Sequence, residues 1–162
     1  MDRKLNILFL ASWYPSRINP FNGNFVQRHA RAVSEFCNVT VLHACSDPGL
    51  AQKYEIVSRE NDGIHEVLVY YRKVRHNIPL LSQLQKYLRN NKALKKGFKE
   101  VERIRKTELV HLNVTFPAGL FALHLKKRHD LQYIITEHWT IFLDSDPGAF
   151  PRFTKNVVEK IL

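Results

Sequence analysis

Leu5-Asn-Ile-Leu-Phe-Leu-Ala11, followed without a break by Ser12-Trp-Tyr-Pro-Ser-Arg-Ile-Asn-Pro-Phe-Asn-Gly-Asn-Phe-Val26, decides how this chain is read. The first run is almost continuously apolar, the pattern of a strand covered on both faces in a parallel sheet. Beyond the second, Val26, Ala30, Val33 and Phe36 recur at helical spacing while Arg28, Arg31 and Glu35 fall on the opposite side. That pattern predicts an amphipathic helix with the four apolar residues inward. The intervening loop is about twice the usual 2–6 residues of a strand-to-helix connection, and Pro15 and Pro20 stiffen it. Open α/β sheets bind ligands beyond the carboxyl ends of their parallel strands. A long, stiff loop in this position either lines such a site or covers the sheet edge.

Further along, Val39-Thr-Val-Leu-His43 reads as a second strand and Ala44 to Gln52 as loop. Tyr54 to Arg59 and His65 to Arg72 alternate apolar and polar residues around Glu60-Asn-Asp-Gly63, which predicts a hairpin. Leu80 to Lys106 reads as a long helix with Leu84, Leu88, Leu94, Phe98, Val101 and Ile104 inward and a weak point at Gly97. Leu109 to Asn113 is then a strand, Ala118 to Arg128 a helix and Gln132 to Thr136 another strand. This order predicts an α/β, Rossmann-like fold: a largely parallel sheet with helices on both faces.

With 162 residues and 44% hydrophobic content, the chain suits one globular domain over residues 1–162. Its final segment, Phe153 to Leu162, looks helical and carries no C-terminal cap, so the chain is expected to continue beyond Leu162. The formal net charge of +10 favours phosphates, nucleic acid or an anionic membrane surface as partners without choosing among them. Nine Lys and Arg residues between Lys86 and Lys106 face only two glutamates, so the long helix is either an ordinary solvated face or a surface for anionic lipid. Cys37 and Cys45 are too few for a disulfide scaffold or a zinc framework and read as buried thiols. The apolar start passes into Trp-Tyr-Pro with no cleavage signature, and no run reaches the roughly 18–20 apolar residues of a membrane span. A cytoplasmic protein, soluble or peripheral on the inner face of the membrane, is expected.

Three segments follow parallel strands: the Ser12 to Asn24 loop, Asn113 to Gly119, and Glu137-His138. They are expected to converge on one crevice. Gly23, between Asn22 and Asn24, stands where a helix begins, with asparagine able to cap it and glycine able to admit a phosphate or sugar hydroxyl. With one glycine in that loop the dinucleotide fingerprint is absent, which disfavours a nicotinamide enzyme. Pro117-Ala-Gly119 repeats the arrangement, for close packing or for ligand approach. His111 and Asn113 share one face of their strand, pointing into the core or toward the crevice. Glu137 and His138 stand together where a strand opens, an imidazole for proton transfer and a carboxylate to orient it. Asp144-Ser-Asp146 offers a competing site, two carboxylates able to hold a divalent metal on a diphosphate. The remaining residues offer no zinc-like spacing.

Trp13-Tyr-Pro-Ser16, Asn19-Pro20, Gly23-Asn-Phe-Val26 and Gln27, then Val110-His111, Pro117-Ala-Gly119 and Thr136-Glu137-His138, together resemble the N-terminal domain of GT-B glycosyltransferases of family 4. The resemblance covers the whole chain and only the first of that family's two domains. It implies transfer of a sugar from a nucleotide-sugar to a glycan or lipid-linked acceptor, with retention of configuration and without a metal or other cofactor. It also implies that the N-terminal domain binds acceptor, that the C-terminal domain binds the nucleotide, and that this polypeptide alone is inactive. Carried onto this sequence, it places Gly23 and its neighbours near the donor diphosphate and acceptor and makes His138 a histidine that contacts the transferred sugar. Taken with the converging strand ends, His138 and Glu137 are the expected catalytic residues, and Asn22, Gly23, Asn24, Arg28, His111, Asn113 and Gly119 the expected binding residues for acceptor and donor phosphate. The alternatives are a metal-dependent GT-A transferase built on Asp144 and Asp146, and a basic nucleic-acid-binding domain. The latter lacks the aromatic residues interleaved with basic ones that stacking readers require, so no nucleic-acid partner is expected.

Overall fold

The computed structural model describes residues 3–73, 79–138 and 161. Along the chain come β1 (Asn6–Ala11), α1 (Asn24–Ser34), β2 (Asn38–Asp47), β3 (Tyr54–Asn61), β4 (Ile64–Arg72), α2 (Pro79–Ile104), β5 (Leu109–Asn113), α3 (Gly119–His129) and β6 (Tyr133–Thr136). The strands form one sheet in the order β3-β4-β2-β1-β5-β6, parallel throughout except for the β3–β4 hairpin at one edge. The expected Rossmann-like α/β architecture is therefore present. Chain order reverses beside β1, with β2 on one flank and β5 on the other, and such a reversal opens a crevice at the carboxyl edge.

Strand alternation splits the core into two layers. Leu8, Leu10, Leu42, Val67 and Val69 face α2 and α3, where Leu94, Phe98, Val101, Phe121 and Leu125 meet them. Ile7, Phe9, Val39, Val41, Leu68 and Tyr70 face the other way, toward Val26 and Ala30 of α1. Both faces being apolar is what made β1 read as an unbroken hydrophobic run.

Several expectations are corrected. β2 continues to Asp47, through residues expected to be loop, because its second half pairs with β4 from Ala44↔Val69 to Asp47↔Arg72. Phe36 is exposed: α1 ends at Ser34, so helical spacing no longer sets its direction. Leu84 and Leu88 are also more than half exposed, since the inward stripe of α2 runs through Asn90, Ala93, Leu94, Phe98 and Val101. Gly97 is a packing device: a Cβ there would stand 2.3 Å from Leu42 Cδ1 and 2.7 Å from Val69 Cγ2, so its absence lets α2 lie close on the sheet. Cys37 and Cys45 are half-buried. Among the described residues no helix is long and apolar enough to cross a membrane. Asp144, Asp146 and the terminal helix lie outside the described residues, apart from Ile161, which packs in the core and accepts a hydrogen bond from the Tyr133 hydroxyl.

Candidate functional site

The three strand-end segments do meet at the carboxyl edge. Ser12, the first residue after β1, donates its backbone N–H to Asn113 O (3.1 Å) and its hydroxyl to Val114 O (2.6 Å), and accepts from Ala118 N–H (3.0 Å). One small side chain thus ties the long loop to the β5–α3 connection. Val114 pivots that connection at φ 64°, fully buried; a β-branched residue in the left-handed region is strained by about 1–3 kcal/mol and concentrates at functional sites.

The long loop is held at two further points. Tyr14 is buried and donates its hydroxyl to Glu66 of β4 at 2.6 Å. Glu66 itself has no exposed surface and also accepts from Gln27 Nε2 (2.9 Å), Asn61 Nδ2 (3.0 Å) and Arg59 Nε (2.8 Å). Burial alone would raise the Glu66 carboxyl; these hydrogen bonds outweigh it and hold the group below the ordinary carboxylate range. Nearer the tip, Arg17 bridges Asp47 (2.8 Å) and Glu55 (2.7 Å) and lies 3.9 Å over the Tyr70 ring. Hydrogen bonds to those two carboxylates raise the already high Arg17 pKa.

The loop ends in a fixed backbone seat. Gly23 has φ 65°, and a Cβ on it would fall 2.4 Å from the backbone carbonyl carbon of Trp13. Glycine is required here on both counts. The expected asparagine cap is absent: Gly23 occupies the N-cap position and no side chain caps α1. Val26 N–H bonds Gly23 O at 2.9 Å, and beside this first turn Asn24 and Arg28 are exposed and Asn22 is half-exposed. Arg28 forms no ion pair among the described residues.

On the β5–β6 side, Glu137 accepts from the backbone N–H of Thr115 (2.9 Å) and of His138 (2.8 Å), so it clamps the β5–α3 connection to the end of β6. His138 is exposed, and its ring packs, tilted by 50°, with its centroid 4.3 Å from that of Phe25 in the first turn of α1. His111 is buried, with its ring 4.6 Å from Phe9 and 5.1 Å from His29, and its Nε2 lies 2.7 Å from the Thr136 hydroxyl. Burial first, then the neighbouring His29 and His138, push its pKa down to about 4, so it is neutral at pH 7. Asn113 is fully buried; its Nδ2 donates to His111 O, while its Oδ1 and the Thr115 hydroxyl, also buried, have no partner among the described residues. Gly119 serves packing: a Cβ there would meet Ile161 Cδ1 and Cγ2, each at 2.9 Å.

Reading by sequence missed His29 and Glu66. Phe25 and His29 share one stripe of α1 at i,i+4, which was the available signal. Glu66 shares strand parity with the buried Ile64, Leu68 and Tyr70, so alternation already placed it inward. The described residues hold no group of three His, Cys, Asp or Glu side chains placed to bind a metal.

The crevice therefore offers a helix N-terminus with a nearby cation, an exposed imidazole on an aromatic ring, and a carboxylate that positions the surrounding backbone. No family model matches the chain, and no curated protein matches it either. Among solved structures, a sucrose-phosphate synthase from Thermosynechococcus elongatus is similar, with a TM-score of 0.54 and 15% identity. The likeness covers 98% of this chain and 40% of the synthase, and at that identity it shows the fold alone.

Proposed function

We propose that this chain is the acceptor-side half of a glycosyltransferase that moves a sugar from a nucleotide-sugar to a glycan or lipid-linked saccharide, with retention of configuration. The observation that carries the reading is the convergence at the β1/β5 reversal: the Gly23 seat, Val114, Glu137 and His138 all border one crevice. Likeness of fold to a sucrose-phosphate synthase, of which this chain spans 40%, supports a glycosyltransferase-like fold; the family 4 GT-B assignment rests on the sequence resemblance. In this reading the N-terminus of α1 and Arg28 stabilise negative charge on the departing diphosphate. His138 contacts the transferred sugar, with its ring held by Phe25 and its backbone by Glu137. No resident cofactor enters the reaction, and the opposite wall of the cleft comes from a nucleotide-binding domain.

The test is transfer by the natural-length product of the reading frame that encodes this chain, supplied with UDP-, GDP- and ADP-hexoses. Release of nucleoside diphosphate with capture of the sugar is expected, and residues 1–162 alone should give none. Absence of turnover with every donor would sink the proposal. The exposed Leu84 and Leu88, beside Lys92, Lys95 and Lys99 on the outward side of α2, favour a cytoplasmic enzyme peripheral on anionic lipid. Flotation with phosphatidylglycerol liposomes at low salt tests this; protein left at the bottom of the gradient refutes it.

A further inference from the structure

Two adjoining cavities open where α2 passes the carboxyl ends of β2 and β4, on the side of the sheet away from α1. One is about 100 Å³ and is lined by four cations, Arg72, Lys73, Lys86 and Arg89, with Ser46 and Ser82 and, among the described residues, no carboxylate. The other is about 390 Å³, within the range of about 300–1,000 Å³ typical of small-molecule pockets. Its walls are largely aromatic, from Tyr71, Tyr87 and Phe116. Tyr71 and Lys86 line both, so the two form a continuous groove with a basic end and an aromatic end.

The basic end is pre-organised. Arg89 Nη1 donates to Arg72 O at 3.0 Å, and Arg72 Nη1 donates to Ala51 O at 3.2 Å, which fixes both guanidinium groups against the backbone. None of the four cations belongs to an ion pair among the described residues, whereas Arg3, Arg17, Arg31, Arg59 and Arg103 all do. Four positive charges gathered around one small cavity, with no ion-pair partner among the described residues, repel one another, and an anion with several acceptor oxygens relieves that repulsion. The floor is firm: Tyr71 is 3% exposed and hydrogen-bonded to Asn90, which is 8% exposed and donates to Ala44 O at 3.2 Å. The aromatic end shares the β5–α3 connection with the crevice, since Phe116 follows Thr115, whose N–H Glu137 holds.

We infer that this groove binds the acceptor, and that the acceptor is a sugar bearing a phosphoryl or diphosphoryl group. The sugar ring packs against Tyr87 and Phe116 over the buried Tyr71, and the phosphate sits among Arg72, Lys73, Lys86 and Arg89. The inference rests on the transferase reading for the word acceptor; the phosphate site stands on the groove itself.

The experiment is pyrophosphate binding to the natural-length protein by isothermal titration calorimetry. Saturable binding is expected, weakened at least 10-fold in the Lys73→Gln/Lys86→Gln double variant and less than 2-fold in Lys92→Gln/Lys106→Gln, which removes equal charge elsewhere. Equal weakening in both, or no saturable binding, overturns the site. Displacement of pyrophosphate by glucose 6-phosphate identifies a soluble phosphorylated sugar, and displacement by phosphatidic acid vesicles identifies a lipid-borne phosphate; either supports the site. Pyrophosphate binding without turnover of any nucleotide-sugar removes the transferase reading and leaves the site. Transfer to neutral glycans, with pyrophosphate affinity unchanged in the Lys73/Lys86 variant, removes the site and leaves the transferase.

Discussion

Glu66 of β4 and Glu137 just beyond β6 stand four strands apart in the sheet and are used in opposite ways. Glu66 is sealed from solvent and receives four side chains, one from the loop, one from α1 and two from β3. Glu137 is half-exposed, and its two hydrogen bonds described above come from backbone N–H groups of segments that border the crevice. The first carboxylate fixes where a wall stands; the second sets backbone beside a histidine that solvent can reach. Stability and chemistry are therefore separable between two sides of the sheet, and a substitution on each side should report on only one of them.

The largest loss is expected from Glu66→Ala, which leaves the Tyr14 hydroxyl, Gln27 and Arg59 without their acceptor: about 3–5 kcal/mol in urea unfolding, as for other broken buried pairs. A loss below about 1 kcal/mol would show that the knot is not what holds the loop. Next comes Gly23→Ala, at about 3 kcal/mol from left-handed strain plus the clash with Trp13 backbone; an unchanged midpoint would mean that the loop moves freely from its seat.

Acid should act through the histidine side of the comparison. The folded pKa of His111 is about 4 against 6.5 unfolded, so the unfolded chain binds the extra proton between those values and stability falls as pH drops through that window. Lowering pH from 7 to 5 should cost about 2 kcal/mol from this group, and buried His43, also depressed by desolvation, adds loss of the same sign. His111→Gln should reduce that slope while leaving the part due to His43; an identical pH profile would place the acid sensitivity elsewhere. Smallest in stability is His138→Ala, expected to shift unfolding by less than about 0.5 kcal/mol because the ring is exposed. Sugar turnover by the natural-length enzyme should nevertheless fall about 100-fold or more. A variant that unfolds readily and still transfers sugar would reverse the contrast between the two sides.

Much of the architecture was legible because burial leaves a periodic trace. β1, β5 and the β3–β4 hairpin declared themselves by apolar runs and alternation, and the crevice followed from where those strands end. What periodicity does not carry is the phase of a helix against its neighbours. Leu84 and Leu88 repeat at helical spacing yet stand off the stripe that α2 turns to the sheet. Asn22 and Asn24 have the chemistry of caps, but the contact of Gly23 with Trp13 backbone decides the N-cap. Glu66 hid for a different reason: alternation placed it inward, but its partners Tyr14 and Gln27 lie far away in sequence, so what would satisfy a buried carboxylate was not visible until the sheet was assembled.

Gly97 reaches further than its own contact. It sits against Leu42 and Val69, eleven residues along α2 from Lys86, a distance of roughly 16 Å at 1.5 Å per residue. A helix pressed that closely at one point behaves as a lever with its fulcrum at the glycine. The shift of roughly an ångström needed to bring a 2.3 Å approach out to ordinary carbon–carbon contact would be magnified at the far end, where the cations of α2 face the strand ends. The width of a groove is thus set by a residue that never enters it, which makes Gly97 a place where selection could retune what fits without altering a single lining residue.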